Sequence, residues 1–250
     1  MPARFYIPLQ RDEPCVEPAT AHHLIKVMRT RVGQTLACFD GCGTTYDATV
    51  RSIKGKHIEL ELVPGSMIEQ PASTPTIHVA LALLKGAAMD RAIAAAVELG
   101  AAQISLLTSE RVNVHVTDTR LENKLAHWHK IAQGACEQSG QATLPIFNPP
   151  CPLERFLEDH ARRDEDLVLT DAEGEVLAGG VPPRMVVVVG PEGGFSPAEL
   201  AVLRRHAKLR LSLGPLVLRA ETVPAAALAV LRQQHDQASS GTASTEYLAG

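Results

Sequence analysis

Three glycines follow a run of valines in the stretch VVVVGPEGGFSPAEL, which spans residues 186–200. Glycine has no β-carbon, so a turn of this kind allows positive φ angles and lets the backbone approach a ligand closely. Ser196, Pro197 and Glu199 then have the spacing of a capping box with proline at the first helical position. The pattern predicts a strand, a tightly specified turn and a helix, with the turn as a candidate binding element.

The composition of this turn disfavours a phosphate ligand. It lacks the lysine and the Ser/Thr of a phosphate-binding loop, and it carries Glu192, whose carboxylate would repel a phosphate. Gly41 and Gly43 do not supply a dinucleotide fingerprint either, because they lead into a further strand. A neutral or cationic ligand held mainly by backbone groups fits better, and a tight turn without a ligand is the alternative.

A second stretch, LSLGPLVLRAETVPAAALAVL at residues 211–231, repeats this layout. An apolar strand is followed by Gly214 and Pro215, then by Arg219 and Glu221, and then by an alanine-rich helix. Two such turns after neighbouring strands would line one crevice at the carboxyl edge of a parallel sheet. Charged residues at that edge suggest a functional site, and a salt bridge that holds the turn is the alternative.

The elements that must position these turns alternate between strands and helices from about residue 71 onwards. Apolar strands are predicted at IHVALALL, QISLL, DLVLT, MVVVV and LRLSLG. Such strands, separated by helices, predict an α/β fold with a mostly parallel sheet and helices on both faces. Residues 237–250 are small and polar, and they are predicted to form a disordered tail.

The first 70 residues have a different pattern. Short alternating strands such as HIELELV, joined by turns, predict a small β-barrel. A proline-rich and glycine-containing stretch at residues 63–76 has the composition of a linker to the second domain.

One helix is predicted to interrupt these strands. Its apolar stripe comprises Leu24, Val27 and Met28, and Gly33 is expected to end it. The opposite face carries His22, Lys26 and Arg29, and no acidic residue lies between residues 18 and 39. This face is either an ordinary solvated surface or part of an RNA-binding platform.

Overall composition narrows the function classes further. The 250-residue chain has a formal net charge of -4, which argues against nucleic-acid binding by bulk positive charge. No apolar run approaches the roughly 20 residues of a membrane-spanning helix, and the start MPARFYIPLQ has no signal-peptide core, so we expect a cytoplasmic protein that does not bind a membrane. The five cysteines include no C-x-x-C pair and predict reduced thiols without a metal site.

These motifs resemble the ribosomal RNA small subunit methyltransferase E family. VVGPEGGFSPAEL and LSLGPLVLRAET are similar to its two cofactor signatures, and RFYIP, HHLIKVMRTRVGQTLACFDGCG, LALLKGAAMDRAIAAAVELGAAQISLLTSERVNV and ACEQSGQATLPIF agree with it in order and spacing. The resemblance extends from Arg4 to about Leu231. It implies a PUA-like β-barrel that binds RNA at residues 1–70, followed at residues 71–236 by a SPOUT methyltransferase domain with a deep trefoil knot.

The resemblance also implies a reaction and its cofactor. S-adenosylmethionine would donate a methyl group to N3 of a specific uridine in the 16S rRNA of the small ribosomal subunit, and the enzyme would act as a homodimer without a metal. The residues implied to bind the cofactor lie in both turns and at one strand end: Thr170, Gly190, Pro191, Glu192, Gly193, Gly194, Leu213, Gly214, Leu216 and Leu218.

Side-chain roles follow from this chemistry. Arg219 is suited to stabilise the negative charge on the uracil oxygens, and Glu221 is the candidate for the base that removes the N3 proton. Because N3 lies on the pairing edge, the target base must be unpaired or extruded. The residues expected to bind RNA are Arg4, His23, Arg29, Arg31, Lys85 and Arg111.

Four positions depart from the family pattern. Ala95 and Gln141 stand where the family usually has lysine and arginine, Leu216 replaces an arginine, and Pro224 stands where alanine is usual. The departures concern mainly the RNA-binding surface.

The alternatives to this function are a SPOUT methyltransferase that acts on another RNA and a non-catalytic RNA-binding assembly factor. A phosphate-transfer enzyme is disfavoured because no phosphate-binding lysine or metal-binding carboxylate cluster is present.

Overall fold

The computed structural model describes residues 3–11, 13–111, 118–175, 177 and 180–245, with no description of the side chains of 118–120 and 239–245. The chain divides into two compact units. The first unit contains Met1–Ala72 and Gln133–Leu144, and the second contains Ser73–Ala132 and Pro145–Gly250.

The first unit is built around a curled sheet with one buried face. Its elements are, in chain order, β1 (Arg4–Tyr6), β2 (Leu9–Gln10), β3 (Glu13–Pro14), α1 (Pro18–His22), β4 (Thr35–Phe39), β5 (Thr44–Lys54), β6 (His57–Leu62) and β7 (Ile68–Glu69). The main sheet has the order β1-β4-β5-β6, β7 pairs with β5, and β2 pairs with β3. Tyr46, Ala48 and Val50 alternate along β5 as buried residues, as expected for a strand with one face towards the core. The predicted short strands of this region are therefore confirmed.

The helix of the first unit differs from its prediction. It begins at Pro18, continues after α1 as a π-helical turn over His23–Val27, and ends at Met28, before the predicted Gly33. Leu24 is buried, whereas Val27 and Met28 are exposed. The predicted apolar stripe is therefore wrong, because a π-helical turn changes the spacing on which a 3.6-residue stripe depends.

The segment 133–144 completes the first unit. The Arg4 guanidinium donates a hydrogen bond to the Gly140 carbonyl at 2.5 Å, and the Tyr6 backbone N–H donates to the Glu137 carboxylate at 3.0 Å. Thr143 forms a bridge with Gly41. We predicted a single change of domain near residue 70, and neither periodicity nor composition indicated this return of the chain.

The second unit is an α/β domain. Its elements are, in chain order, β8 (Thr76–Ala82), α2 (Ala87–Glu98), β9 (Ala101–Thr108), α3 (Asp118–Ser139, whose last turns belong to the first unit), β10 (Ile146–Pro152), α4 (Leu153–His160), β11 (Asp166–Glu175), β12 (Arg184–Val189), α5 (Pro197–His206), β13 (Leu209–Leu211) and α6 (Val223–Thr245). The six strands have the order β10-β9-β8-β12-β11-β13, and every pairing is parallel. The prediction of a mostly parallel sheet is confirmed.

The order of the strands creates a switch point in this sheet. The chain moves outwards from β8 through β9 to β10, and then restarts on the other side with β11, β12 and β13. Ligands of such sheets bind outside the carboxyl ends of the strands where the order reverses. Both glycine-containing turns follow strands on that side, after β12 and β13.

Two elements of the second unit, β10 and α4, were not predicted from the sequence. The strand β10 contains Pro149 and Pro150, which argue against a central strand, and it lies at the edge of the sheet where proline is tolerated. The short helix α4 follows it and buries Leu153, Phe156 and Leu157. These side chains pack in one core cluster with residues of β8, β9, β11 and β12.

The carboxyl-terminal helix is longer than predicted. We expected a disordered tail from residue 237, but α6 continues to Thr245, and residues 246–250 lie outside the described part of the chain. A helix that already exists extends by one hydrogen bond per residue without a new nucleation step, so a polar continuation can remain helical. Among the described residues, we find no helix whose length and hydropathy would allow it to span a bilayer.

A buried polar network lies under α4. His78 contacts the Ser105 hydroxyl at 2.8 Å through Nε2 and the Glu165 carboxylate at 3.3 Å through Nδ1. His160 approaches the same carboxylate at 3.4 Å, and the Asn148 amide donates to the Ser105 hydroxyl at 2.8 Å. Burial alone would raise the pKa of Glu165, but the hydrogen bonds from His160 and His78 prevail and lower it to about 2. The ionised carboxylate therefore stabilises the fold.

We expect Glu165→Gln to reduce the free energy of unfolding near neutral pH by about 2 kcal/mol. Because the folded pKa lies below the unfolded value, the wild type should lose this contribution as the pH falls from about 4.5 to about 2. Urea unfolding at several pH values should show a flatter pH dependence in the variant. Asp164→Asn, at the exposed neighbouring position, is the control. Equal pH dependence of the wild type and Glu165→Gln would contradict this role.

Candidate active site

A cleft of about 680 Å³ lies at the carboxyl ends of β11, β12 and β13. Three segments contribute most of its walls: 170–172, where the pairing of β11 with β13 becomes irregular, the glycine turn after β12, and 211–221 at the end of β13 and beyond. Ala88 and Val223 complete the lining. The following residues predicted from sequence line the cleft: Thr170, Gly190, Pro191, Glu192, Gly194, Leu213, Gly214, Leu216, Leu218, Arg219 and Glu221. Gly193 does not line it.

The glycine turn is fixed by the predicted capping box. The Ser196 hydroxyl accepts a hydrogen bond from the Glu199 N–H at 3.2 Å, and the Glu199 carboxylate accepts one from the Ser196 N–H at 2.8 Å. Gly194 has a φ of 68°, which an L side chain would rarely adopt. The turn is therefore preorganised, with its geometry set by the start of α5.

Two contacts connect this turn to the ends of the neighbouring strands. The Glu192 carboxylate accepts a hydrogen bond from the Lys85 N–H at 3.0 Å, beyond the end of β8. The Arg111 guanidinium donates to the Gly193 carbonyl at 3.1 Å, beyond the end of β9. Glu192 thus lines the cleft and also positions the turn, and Arg111 holds the outer side of the turn.

The second turn exposes apolar side chains at the cleft. Gly214 has a φ of 102°. Leu216 and Val217 are 77% and 98% exposed, whereas Leu218 is half-buried. Arg219 follows directly and is exposed, so its guanidinium can reach a group that enters the cleft.

The Glu221 carboxylate has a different partner from the one considered in the sequence analysis. It accepts a hydrogen bond from the Arg91 guanidinium on α2 at 3.0 Å. A hydrogen bond from its own backbone N–H, followed by the bond from Arg91, lowers the pKa of Glu221 below its ordinary value. Because a carboxylate with a lowered pKa is a weaker proton acceptor, this geometry argues against Glu221 as the base. It favours a salt bridge that holds the turn.

Asp171 is a further site residue that the sequence analysis missed. It lines the cleft next to Thr170, and its carboxylate binds Arg204 of α5 at 2.8 and 3.0 Å and Arg210 of β13 at 2.9 Å. Burial alone would raise the pKa of Asp171, but the hydrogen bonds from Arg204, the Glu173 N–H and Arg210 lower it. The carboxylate thus fixes the end of β11 to α5 and β13. A single charge directly after the predicted strand DLVLT gave no signal for this role.

Comparisons with known proteins agree with this architecture. Residues 71–232, more than half of the chain, match a family described as an RNA methyltransferase domain, and residues 16–63 match an RNA methyltransferase PUA domain. A ribosomal RNA small subunit methyltransferase E from Synechocystis is 30% identical over 218 residues, which cover 84% of this chain and 70% of that protein. The chain belongs to the ribosomal RNA small subunit methyltransferase E family.

Solved structures extend the match to the fold and to a cofactor. A methyltransferase from Legionella pneumophila, with SAM bound, is 32% identical and has a TM-score of 0.85, covering 93% of this chain and 98% of that one. A ribosomal RNA small subunit methyltransferase E from Neisseria gonorrhoeae, bound to S-adenosyl methionine, is 27% identical with a TM-score of 0.80 and the same coverage. These matches confirm the predicted family and the predicted class of enzyme.

The residues predicted to bind RNA differ in their exposure and in their hydrogen bonds. Arg4 is half-buried, and its guanidinium is bound to the Gly140 carbonyl within the first unit. His23, Arg29 and Arg31 are exposed in the first unit. The side chains of Lys85 and Arg111 are exposed in the second unit, where Arg111 already binds the glycine turn.

Two of the four departures from the family pattern, Gln141 and Pro224, have a local structural account. Gln141 donates a hydrogen bond from its amide to the Thr143 carbonyl at 3.1 Å, and Ala95 is half-buried in α2. Pro224 lies in the first turn of α6, where its missing N–H has no helical partner to lose. Leu216 is exposed at the cleft, and no contact in the described residues explains it.

We expect Asp171→Asn to reduce the free energy of unfolding by about 2 kcal/mol, because the two arginines would lose the carboxylate that partners them. Glu173→Gln is the matched control, since Glu173 binds the same Arg204 at 2.8 Å but its side chain is 73% exposed. That control should change the unfolding free energy by less than about 0.5 kcal/mol. Urea unfolding would measure both, and equal losses would contradict the proposed importance of Asp171.

Proposed function

We propose that this protein binds S-adenosylmethionine in the cleft and methylates N3 of a specific uridine in the 16S rRNA of the small ribosomal subunit. The observation that carries the proposal is the convergence of two preorganised turns and the end of β11 on one cleft. The Legionella and Neisseria relatives with this cofactor bound support the choice of ligand. The name of the family supports the choice of RNA.

The residues of the cleft fit this cofactor. Apolar side chains and backbone groups dominate the lining, and its charged members are three carboxylates and Arg219. A sulfonium cation is compatible with such a lining, whereas a phosphate is not. When bound, S-adenosylmethionine would supply an electrophilic methyl group.

Backbone groups of residues 190–194 and 213–218 would hold the cofactor. The Thr170 hydroxyl donates to the Val188 carbonyl at 2.9 Å, so it remains free to accept a hydrogen bond from a ligand donor. Glu192 would act indirectly, by holding the turn through Lys85. Gly193 does not line the cleft and its carbonyl accepts a hydrogen bond from Arg111, so it would hold the turn rather than contact the cofactor.

The target base must reach this cleft with its pairing edge free, because N3 of uridine is otherwise hydrogen-bonded. Loss of the N3 proton to solvent water would place negative charge on the uracil oxygens, and the exposed Arg219 guanidinium would stabilise that charge until N3 takes the methyl group. The paired and lowered-pKa Glu221 is better suited to hold the turn that carries Arg219.

The proposal includes the remaining implications of the family. The second unit would contain a deep trefoil knot, the enzyme would act as a homodimer, and it would encounter ribosomal subunits in the cytoplasm. The passage of β11 beside β13 is close: a β-carbon at Gly174 would lie 2.6 Å from the Arg210 carbonyl oxygen.

The direct test uses isotopically labelled S-adenosylmethionine and small ribosomal subunits that lack the modification. After nuclease digestion and mass spectrometry, we expect label on N3 of one uridine in 16S rRNA. Label on another nucleoside would contradict the assigned target and retain the methyltransferase activity. Cofactor binding without any label would instead indicate the non-catalytic assembly factor.

Arg219→Ala should lower kcat/KM for methyl transfer by about 100-fold, because the developing charge would lose its stabilising donor. Arg219→Lys keeps the positive charge and should recover part of this loss. Cofactor affinity, measured by calorimetry, should remain close to that of the wild type in both variants. A loss of activity that parallels a loss of cofactor affinity would contradict a role in charge stabilisation.

Glu221→Gln distinguishes an anchor from a base. If Glu221 holds the turn, Glu221→Gln and Arg91→Gln remove the same ion pair, and each should lower kcat by less than about tenfold without altering its pH profile. A loss well beyond about 100-fold in Glu221→Gln alone, with a changed pH profile, would identify Glu221 as the base instead.

A further inference from the structure

Three apolar side chains in the first unit are exposed within six residues. Val27, Met28 and Val32 are 62%, 44% and 62% exposed, and together we call them the apolar patch. Isolated surface hydrophobic residues are ordinary, but a local group of them marks an interaction surface more often. The neighbouring Leu24 is completely buried, so this segment packs one apolar side chain into the core and leaves the three of the patch exposed to solvent.

The backbone presents these side chains through unusual geometry. The π-helical turn His23–Val27 is closed by a hydrogen bond from the Met28 N–H to the His23 carbonyl at 3.0 Å. Arg29 then adopts a φ of 53°, a left-handed conformation that is uncommon for a residue other than glycine. A further bond from the Thr30 N–H to the Leu24 carbonyl, at 3.0 Å, ends the turn. π-Helical turns and left-handed residues of this kind occur often at functional sites.

Four basic residues lie before and between the residues of the apolar patch in the sequence, and together we call them the basic rim. His22, Lys26, Arg29 and Arg31 are all exposed, and the chain has no acidic residue between residues 18 and 39. The rim favours a polyanionic partner and disfavours the same surface of a second copy, because the like charges would repel. The apolar patch adds a second requirement, since phosphate groups gain nothing from contact with valine or methionine.

RNA with unpaired bases meets both requirements. Its phosphates suit the basic rim, and its splayed bases offer apolar faces that are hidden inside a duplex. We propose that the apolar patch contacts nucleobases and makes the first unit selective for an unpaired RNA segment. This inference rests on the proposed function, in which the substrate is RNA, and adds the form of RNA that the first unit recognises.

The test compares two probes and three variants of the full chain. The probes are a short uridine-rich single-stranded oligoribonucleotide and an RNA duplex of matched length. The patch variant carries Val27→Ser, Met28→Ser and Val32→Ser, and the rim variant carries Arg29→Gln and Arg31→Gln. The control variant carries Met67→Ser and Ile68→Ser, which alter exposed apolar residues elsewhere in the first unit.

Salt dependence separates the contributions of the patch and the rim. The patch variant should bind the single strand at least about fivefold more weakly, with an unchanged slope of log affinity against log salt, because no phosphate contact is lost. The rim variant should reduce the magnitude of that slope by about 1.4, which corresponds to two phosphate contacts. The control variant should bind like the wild type, and the preference for the single strand should fall in the patch variant.

Several outcomes would overturn the inference. The first is unchanged single-strand binding by a patch variant whose urea unfolding matches the wild type. The second is an equal loss of affinity for the single strand and for the duplex. The third is a patch variant that changes only the oligomeric state. Patch-dependent binding to anionic lipid vesicles with unchanged RNA affinity would assign the surface to a membrane. Methylation of ribosomal subunits by the wild type is measured separately, so this inference can fail while the proposed function stands.

Discussion

The buried carboxylate of Glu199 holds together three segments on which the cleft depends. It accepts hydrogen bonds from the Ser196 N–H at 2.8 Å and from the Glu110 N–H at 2.9 Å. It thereby connects the glycine turn after β12, the start of α5 and the segment after β9. A negative charge is also favourable at the start of a helix, where backbone N–H groups lack helical partners. A capping box ordinarily fixes the start of one helix, and here it also connects two segments at the carboxyl ends of the strands.

Carboxylates perform similar work around the rest of the cleft. Asp171 connects β11 to α5 and β13, Glu192 connects the glycine turn to the segment after β8, and Glu221 connects the second turn to α2. Each binds an arginine or a backbone N–H, so the carboxylate is held in place within the fold. The acidic residues that line the cleft thus set the positions of the backbone groups available to a ligand. Such preorganisation reduces the ordering that binding would otherwise require.

The sequence was informative where the signal was local and poor where partners were distant in the chain. The capping box, the glycine turn and the apolar runs of the individual strands depend on residues a few positions apart, and the structure contains all three. The pairing of Arg91 with Glu221 joins residues 130 positions apart, and no periodicity reports such a contact. β10 was missed because its prolines oppose a strand except at an edge, and edge position is a property of the assembled sheet. The burial of Val27 and Met28 was predicted from a regular helical period. The π-helical turn changes that period, and both side chains are exposed.

The two proposed recognition tasks place different demands on the sequence. Backbone groups would recognise the cofactor, so changes in side chains around the turns can be tolerated while the turns keep their shape. RNA would be recognised by side chains, and here the Arg4 guanidinium is bound within the first unit while Leu216 presents an apolar side chain at the cleft. Exposed basic residues lie beside both exposed apolar groups. Arg29 and Arg31 lie within the segment that carries the apolar patch, and Arg219 lies close to Leu216 and Val217. An apolar contact retains its strength at salt concentrations that weaken a charge contact. In the proposed function, a protein with a net charge of -4 would hold RNA through such local contacts, without the bulk positive charge that it lacks.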